Sequence, residues 1–189
     1  MSLWHYLIAL VVLVFFAWQV AVWLDEARDK NTKYRDATAC AEHSGKPLLI
    51  AGGPWGIKPY RYWLKKPAHG NGDVCLDIDR RALRDHPCGV VADITRIPFA
   101  GKSFGAAFAS HIMEHLNTTE DARKALDELS RVAERVFIVA PSRQSVTAWV
   151  KSEHHLWVWQ KDNVIYLEQR GSPGQKEIEE YILPGLTAT

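Results

Sequence analysis

No aspartate, glutamate, lysine or arginine occurs before Asp25. A stretch with no formal charge has nothing to hold it at a water-exposed protein surface. Cysteine is scarce: Cys40, Cys75 and Cys88 are odd in number and form no C-x-x-C pair. That excludes a disulfide framework and a cysteine-rich zinc site, leaving reduced structural thiols. Charge of one sign is also missing, with 23 Lys+Arg against 22 Asp+Glu. The balance supplies no basic face for a phosphate backbone, so no nucleic-acid partner is expected. No internal repeat or low-complexity tract interrupts the chain.

What is present at the N-terminus is a continuous apolar run, Leu3 to Leu24, reading "LIALVVLVFFAWQVAVWL" at its centre. At ~1.5 Å per residue it extends about 33 Å as a helix, enough to cross a bilayer core. Trp4, Tyr6, Trp18 and Trp23 lie toward its ends, where aromatic belts form. A cleaved signal peptide would need a basic n-region and a small-x-small cleavage site, and "WLDEARDK" offers neither. Residues 1–24 are therefore expected to be an uncleaved transmembrane anchor. Arg28, Lys30, Lys33 and Arg35 follow the run while none precedes it. The positive-inside rule then predicts a single-pass membrane protein with its soluble part on the cytoplasmic side. Residues 25–46 read as a polar, helical stalk.

From Pro47 short apolar runs alternate with polar or helical stretches. "PLLIAGG", "DVCLDID", "GVVADI", "SFGAAFAS" and "RVFIVAP" read as five buried strands, ending at Gly52, Asp77, Asp93, Ser110 and Ala140. "IKPYRYWLKK" reads as a short helix. "NTTEDARKALDELSRVAE" is a longer one, capped by Thr118 with Asp121 three residues on, with Ala122, Ala125, Leu126, Leu129 and Ala133 on one face. This alternation predicts an α/β fold: a Rossmann-like, doubly wound, mostly parallel sheet over residues 47–170, preceded by one transmembrane helix and followed by a tail at 171–189.

Such sheets bind ligands at the carboxyl ends of their strands. Gly52, Gly53 and Gly56 follow the first strand, Asp77 and Asp79 end the second, Asp93 ends the third, and Ser110 and His111 follow the fourth. A glycine turn admits close approach of a ligand, and a strand-two carboxylate accepts from both ribose hydroxyls. Asp93 is placed to accept from an adenine amino group, so the expected occupant contains adenosine.

"HIMEH", His111 to His115, has the spacing H-x-x-E-H. On a helix it would offer two imidazoles to a metal and a carboxylate to a water, with Glu177, Glu179 or Glu180 as a further ligand. After a strand it is a turn with no metal. Farther on, "VKSEHHLWVWQKDNVIYLEQRG" holds His154, His155, Trp157 and Trp159, with a strand expected at Val164 to Leu167. The aromatic cluster reads as a docking surface or as core covering an edge; lining of an acceptor pocket is the other use.

In order and spacing, "LLIAGGPWG", "CLDID", "ADITRIPFAGKSFGAAFASHIMEHL" and "RVFIVAPS" resemble the class I S-adenosylmethionine-dependent methyltransferases. The likeness runs from residue 47 to about 145. It implies that "HIMEH" is the turn after strand four and that no metal is bound there. It also implies that Gly52, Gly53, Gly56, Asp77, Ile78, Asp93, Ile94, Ser110 and His111 bind S-adenosylmethionine. The family completes its sheet with an antiparallel hairpin near the C-terminus. Three positions depart from its pattern: Ile50 stands where an acid is usual, Pro54 replaces the middle glycine of the loop, and Gly105 replaces an acid after Ser-Phe. Proline removes a donor and fixes φ, which narrows the approach a glycine permits. Two functions follow. One is a membrane-anchored methyltransferase acting on a lipid, a quinone-like molecule or a membrane protein, with His111 or His115 as the nominee for a base. The other is a fold that has lost the cofactor and serves as a structural or assembly subunit of a membrane complex.

Overall fold

The computed structural model describes residues 2–54, 70–171 and 178–184. Gly56, Glu177 and the expected helix in "IKPYRYWLKK" lie outside the described residues.

Helix α1 (Leu3–Ser44) is one unbroken element of 42 residues, about 63 Å long at ~1.5 Å per residue. Its apolar half is long and apolar enough to cross a membrane and is almost wholly exposed. The stretch read as a stalk is helical, but from Tyr34 onward it packs on the sheet. Ala37 and Ala41 are buried against Ile50, Ala106 and Phe108, and the Tyr34 ring meets Phe108 edge-on at 5.5 Å. Alanines on the inner face let the helix axis approach the strands closely. Gly45 ends the helix at φ +66°, with its N–H donating to the last turn, the left-handed cap that glycine adopts without cost.

Strands β1 (Leu48–Ala51), β2 (Val74–Asp77), β3 (Gly89–Val91), β4 (Phe104–Ser110) and β5 (Ala133–Val139) form one sheet in the order β3-β2-β1-β4-β5. Every pairing in it is parallel. The order reverses between β1 and β4, so the switch point lies at their carboxyl ends. Helix α2 (Thr119–Val132) covers the face opposite α1. Its cap is the expected one: Thr118 Oγ1 accepts from the Asp121 N–H at 3.1 Å. Ala122, Ala125, Leu126 and Leu129 are buried on Leu49, Ala107 and Ala109. The helix was expected to reach Glu134 but stops at Val132, and β5 starts at Ala133 with no loop between. The ammonium of Lys102 donates to the Ser130 and Ala133 carbonyls, at 2.7 Å each, and fills the acceptors that a further helical turn would have used.

The strand expected at Val164 to Leu167 is present and pairs antiparallel with its neighbour, but the C-terminal strands do not complete the main sheet. β6 (Leu156–Lys161), β7 (Val164–Gln169) and β8 (Ile178–Ile182) form a separate antiparallel sheet and add no strand to β5. Their apolar side chains Leu156, Val158, Ile165 and Leu167 join the core that α2 lines, while Tyr181 donates to Asp127 of α2 at 2.9 Å. Burial against the helix therefore decides their place. Trp157 is core, whereas the short helix α3 (Val146–Val150), which precedes β6, leaves Val146, Trp149 and Val150 exposed. The cysteines are free thiols, and burial pushes the Cys75 thiol up to about 11, which keeps it protonated and inert.

The missing acid at Gly105 has a packing cause. A Cβ there would lie 2.8 Å from Ala41 Cα and 1.9 Å from Ser44 Oγ, so any side chain displaces α1. Gly105→Ala is expected to destabilise the fold by roughly 1–3 kcal/mol, read as a shift of the urea midpoint in detergent. An unchanged midpoint would mean that α1 does not press on β4.

Candidate functional site

Where β1 ends, the chain must turn across the top of the sheet. Gly52 and Gly53 do this at φ +99° and +82°, a region that glycine occupies freely. The Gly52 N–H donates to the Leu76 carbonyl at 2.9 Å, which ties the turn to β2. A Cβ on Gly52 would press on the Ser110 carbonyl at 3.3 Å and on the Ile112 side chain. Pro54 follows, buried.

Asp77 is the last residue of β2 and is 7% exposed. One carboxylate oxygen accepts the Asp79 N–H at 2.8 Å. Desolvation outweighs that bond and raises its pKa above the ordinary aspartate value. Asp79, the second acid of the pair, is engaged elsewhere: it accepts from the Arg81 N–H at 2.9 Å and from its guanidinium at 2.8 Å. Only Asp77 presents its carboxylate at the strand end. Asp93, after β3, accepts from the Thr95 N–H and hydroxyl, both at 2.8 Å, which orients its carboxylate.

These elements enclose a cleft of about 380 Å³, in which Asp77, Ile78, Asp93 and Ile94 face Ile112 and His115. The fold thus brings four of the sequence-expected residues together. Gly52, Gly53, Ser110 and His111 do not line it. Leu76, Ala92, Thr95, Leu116, Asn117 and Asp121 complete the lining. None of these was expected from sequence as a site residue; Asp121 was noticed only as the partner of the Thr118 cap, and Thr95, Leu116 and Asn117 come from loops with no periodic signal.

"HIMEH" is not a turn of α-helix. His111 leaves β4 with φ +56°, and Met113–His115 is a single 3-10 turn. The two histidines do not share a helical face, and Glu179 accepts the Thr119 hydroxyl at 2.5 Å. The ion site foreseen from H-x-x-E-H spacing, with His111 and His115 as ligands, is not built. His111 instead lies 3.3 Å from one oxygen of Glu114, and Glu114 is 1% exposed.

The family model for a methyltransferase domain matches residues 64–136. No curated protein matches the chain. Solved structures similar to it include the N-methyltransferase NodS of Bradyrhizobium japonicum in complex with S-adenosyl-L-homocysteine, at 14% identity over 77% of this chain and 81% of that one, TM-score 0.40. A second is a Burkholderia thailandensis 1,6-didemethyltoxoflavin-N1-methyltransferase, at 13% identity over 97% and 75%, TM-score 0.36. A third is the PH0226 protein of Pyrococcus horikoshii, at 13% identity over 74% and 69%, TM-score 0.39.

The raised pKa of Asp77 carries a sign. The carboxyl favours folding below the unfolded aspartate value of 3.8, and that contribution is lost as pH rises through the higher folded value. At neutral pH the buried charge works against the fold. Asp77→Asn keeps an acceptor for the Asp79 N–H and removes the charge. It should therefore unfold at higher urea than the wild type at pH 7, with the difference fading toward pH 3.

Proposed function

We propose that the chain, whose residues 64–136 match the model of a methyltransferase domain, is an S-adenosylmethionine-dependent methyltransferase held at the cytoplasmic face of a membrane. Its acceptor is a lipid, a quinone-like molecule or a membrane protein. The observation that carries this reading is where the cleft sits: at the carboxyl edge of the sheet, on the side toward which α1 extends.

In this reading Asp77 accepts from the ribose hydroxyls, Asp93 from the adenine amino group, and Ile78 and Ile94 flank the base. The turn at Gly52–Gly53 brings the backbone close to the methionine end. Methyl transfer then depends chiefly on holding the acceptor in line with the sulfonium methyl. Of the two histidines nominated as bases, only His115 lines the cleft.

The direction of α1 supports the anchor. α1 runs antiparallel to β1, so each step back along the helix is a step toward the carboxyl edge. Ala41 lies at the start of β4, and Lys33 donates to the Ile138 carbonyl near the end of β5 at 2.9 Å. Glu26 accepts the Ser142 N–H beyond that end at 2.7 Å. Gln19, inside the apolar run, accepts from the Val146 N–H at 3.0 Å and donates to the Gln144 carbonyl at 3.1 Å. With α1 across a bilayer, α3 lies at headgroup level. Its exposed Val146, Trp149 and Val150 suit that depth, as does Arg170, whose guanidinium holds the Trp149 and Ala148 carbonyls. The cleft then opens toward the lipid surface, and an acceptor reaches it from there.

The test is calorimetry with S-adenosylmethionine on the full chain in nanodiscs. Binding is expected, weakened by about 10- to 150-fold in Asp77→Ala, the loss of charged hydrogen bonds worth roughly 1.5–3 kcal/mol. Absence of binding by the wild type at millimolar cofactor would overturn the reading. Pro54→Gly would then show whether the proline is the cause.

A further inference from the structure

Beside the cleft lies a group of side chains with no role in holding an adenosine cofactor. A carboxylate oxygen of Glu114 and a ring nitrogen each of His115 and His154 lie within 4.8 Å of one another. Glu114 is 1% exposed and His154 5%. Glu114 Oε2 and both ring nitrogens of His154 are buried with no hydrogen-bond partner among the described residues. Leaving such atoms buried and unmatched costs roughly 1–3 kcal/mol each, and a cation bound by Glu114 Oε2 and the lone-pair nitrogen of His154 satisfies one on each side chain.

We propose that Glu114, His115 and His154 bind a divalent first-row transition ion of zinc type. Two imidazoles and one carboxylate form the donor set of open, three-ligand metal sites. The surroundings are those of such a site. His111, 3.3 Å from Glu114 Oε1, holds that oxygen and leaves Oε2 for the ion. The Glu153 carbonyl lies 3.1 Å from His115 Nδ1. A carbonyl only accepts, so Nδ1 carries the proton and Nε2 the lone pair, the tautomer a ligating histidine needs. The His155 N–H donates to the Glu114 carbonyl at 2.7 Å and joins the two segments. Around an ion with bonds of ~2.1 Å the donor atoms stand about 3.4 Å apart. The group closes by a swing of His115, the exposed member of the three.

His115 also lines the cleft, so the ion's open positions face it. That gives a specific role, which rests on the methyltransferase reading: the acceptor binds the ion through a hydroxyl oxygen. Its proton passes to solvent, the oxygen forms a bond to the sulfonium methyl, and the methyl–sulfur bond breaks with its electron pair left on S-adenosylhomocysteine. His115 is then a ligand and not a base.

The experiment uses full-length protein without a histidine tag, in detergent, stripped with chelator and titrated with Co2+ in the absence of S-adenosylmethionine. One equivalent is expected to bind, with visible d–d bands from imidazole ligation. Glu114→Gln and His154→Ala should each weaken it by at least about tenfold, and His155→Ala should leave it unchanged. His115→Ala, at an exposed position, reports if the buried variants fail to fold. No stoichiometric binding, or binding that survives Glu114→Gln and His115→Ala, would overturn the proposal. Either result is read without cofactor and leaves the S-adenosylmethionine calorimetry independent.

Discussion

The close contact between α1 and the start of β4 governs the rest of the architecture. Gly105 lets Ala41 and Ser44 approach the strand directly, and that contact fixes the helix antiparallel to the sheet. A helix so oriented, and continued without a break, must leave the domain at the carboxyl edge. The same edge holds the switch point between β1 and β4, and with it the cleft. The apolar half of α1 and the cleft are thus joined through one packed surface, with no flexible linker between them among the described residues.

The site itself is assembled from conflicting demands. Glycines at positive φ turn the chain across the top of the sheet, and a buried carboxylate at Asp77 is kept where desolvation opposes its charge. Both features cost stability and neither serves the core, which Phe104, Phe108, Leu49 and the α2 face already fill. Residues that work against the fold at a strand end are what a binding site requires. Asp79 makes the contrast: its pKa is lowered by the guanidinium of Arg81, and its role is to cap the turn that follows β2.

Much of this is legible in the sequence because each feature has a local physical cause. Short apolar runs ending in glycine or aspartate mark buried parallel strands, and Thr118 with Asp121 marks the start of α2. The family match over residues 64–136 agrees with the resemblance carried by Asp93 through Leu116. What is not legible depends on packing between distant segments. The stalk is legible as a helix, but no periodicity says that its end from Tyr34 to Ser44 lies on the sheet, since alanines at 37 and 41 suit a solvated helix equally well. Nothing in "LWVWQK" distinguishes a strand that extends the main sheet from one that folds onto α2. The H-x-x-E-H spacing pointed to His111 as a ligand, whereas the buried neighbour of Glu114 and His115 is His154, far along the chain. Chain separation hides such a group from any motif.

The central claim is that one helix both anchors the chain and sets the catalytic edge against the bilayer. The most direct measurement places a spin label at Val150→Cys, in protein with the native cysteines replaced, in nanodiscs. Power saturation with oxygen and with a water-soluble nickel chelate then reports depth. The account predicts that oxygen relaxes the label more than nickel does, as at headgroup level or deeper. A label relaxed chiefly by nickel, as on a fully hydrated surface, would contradict it.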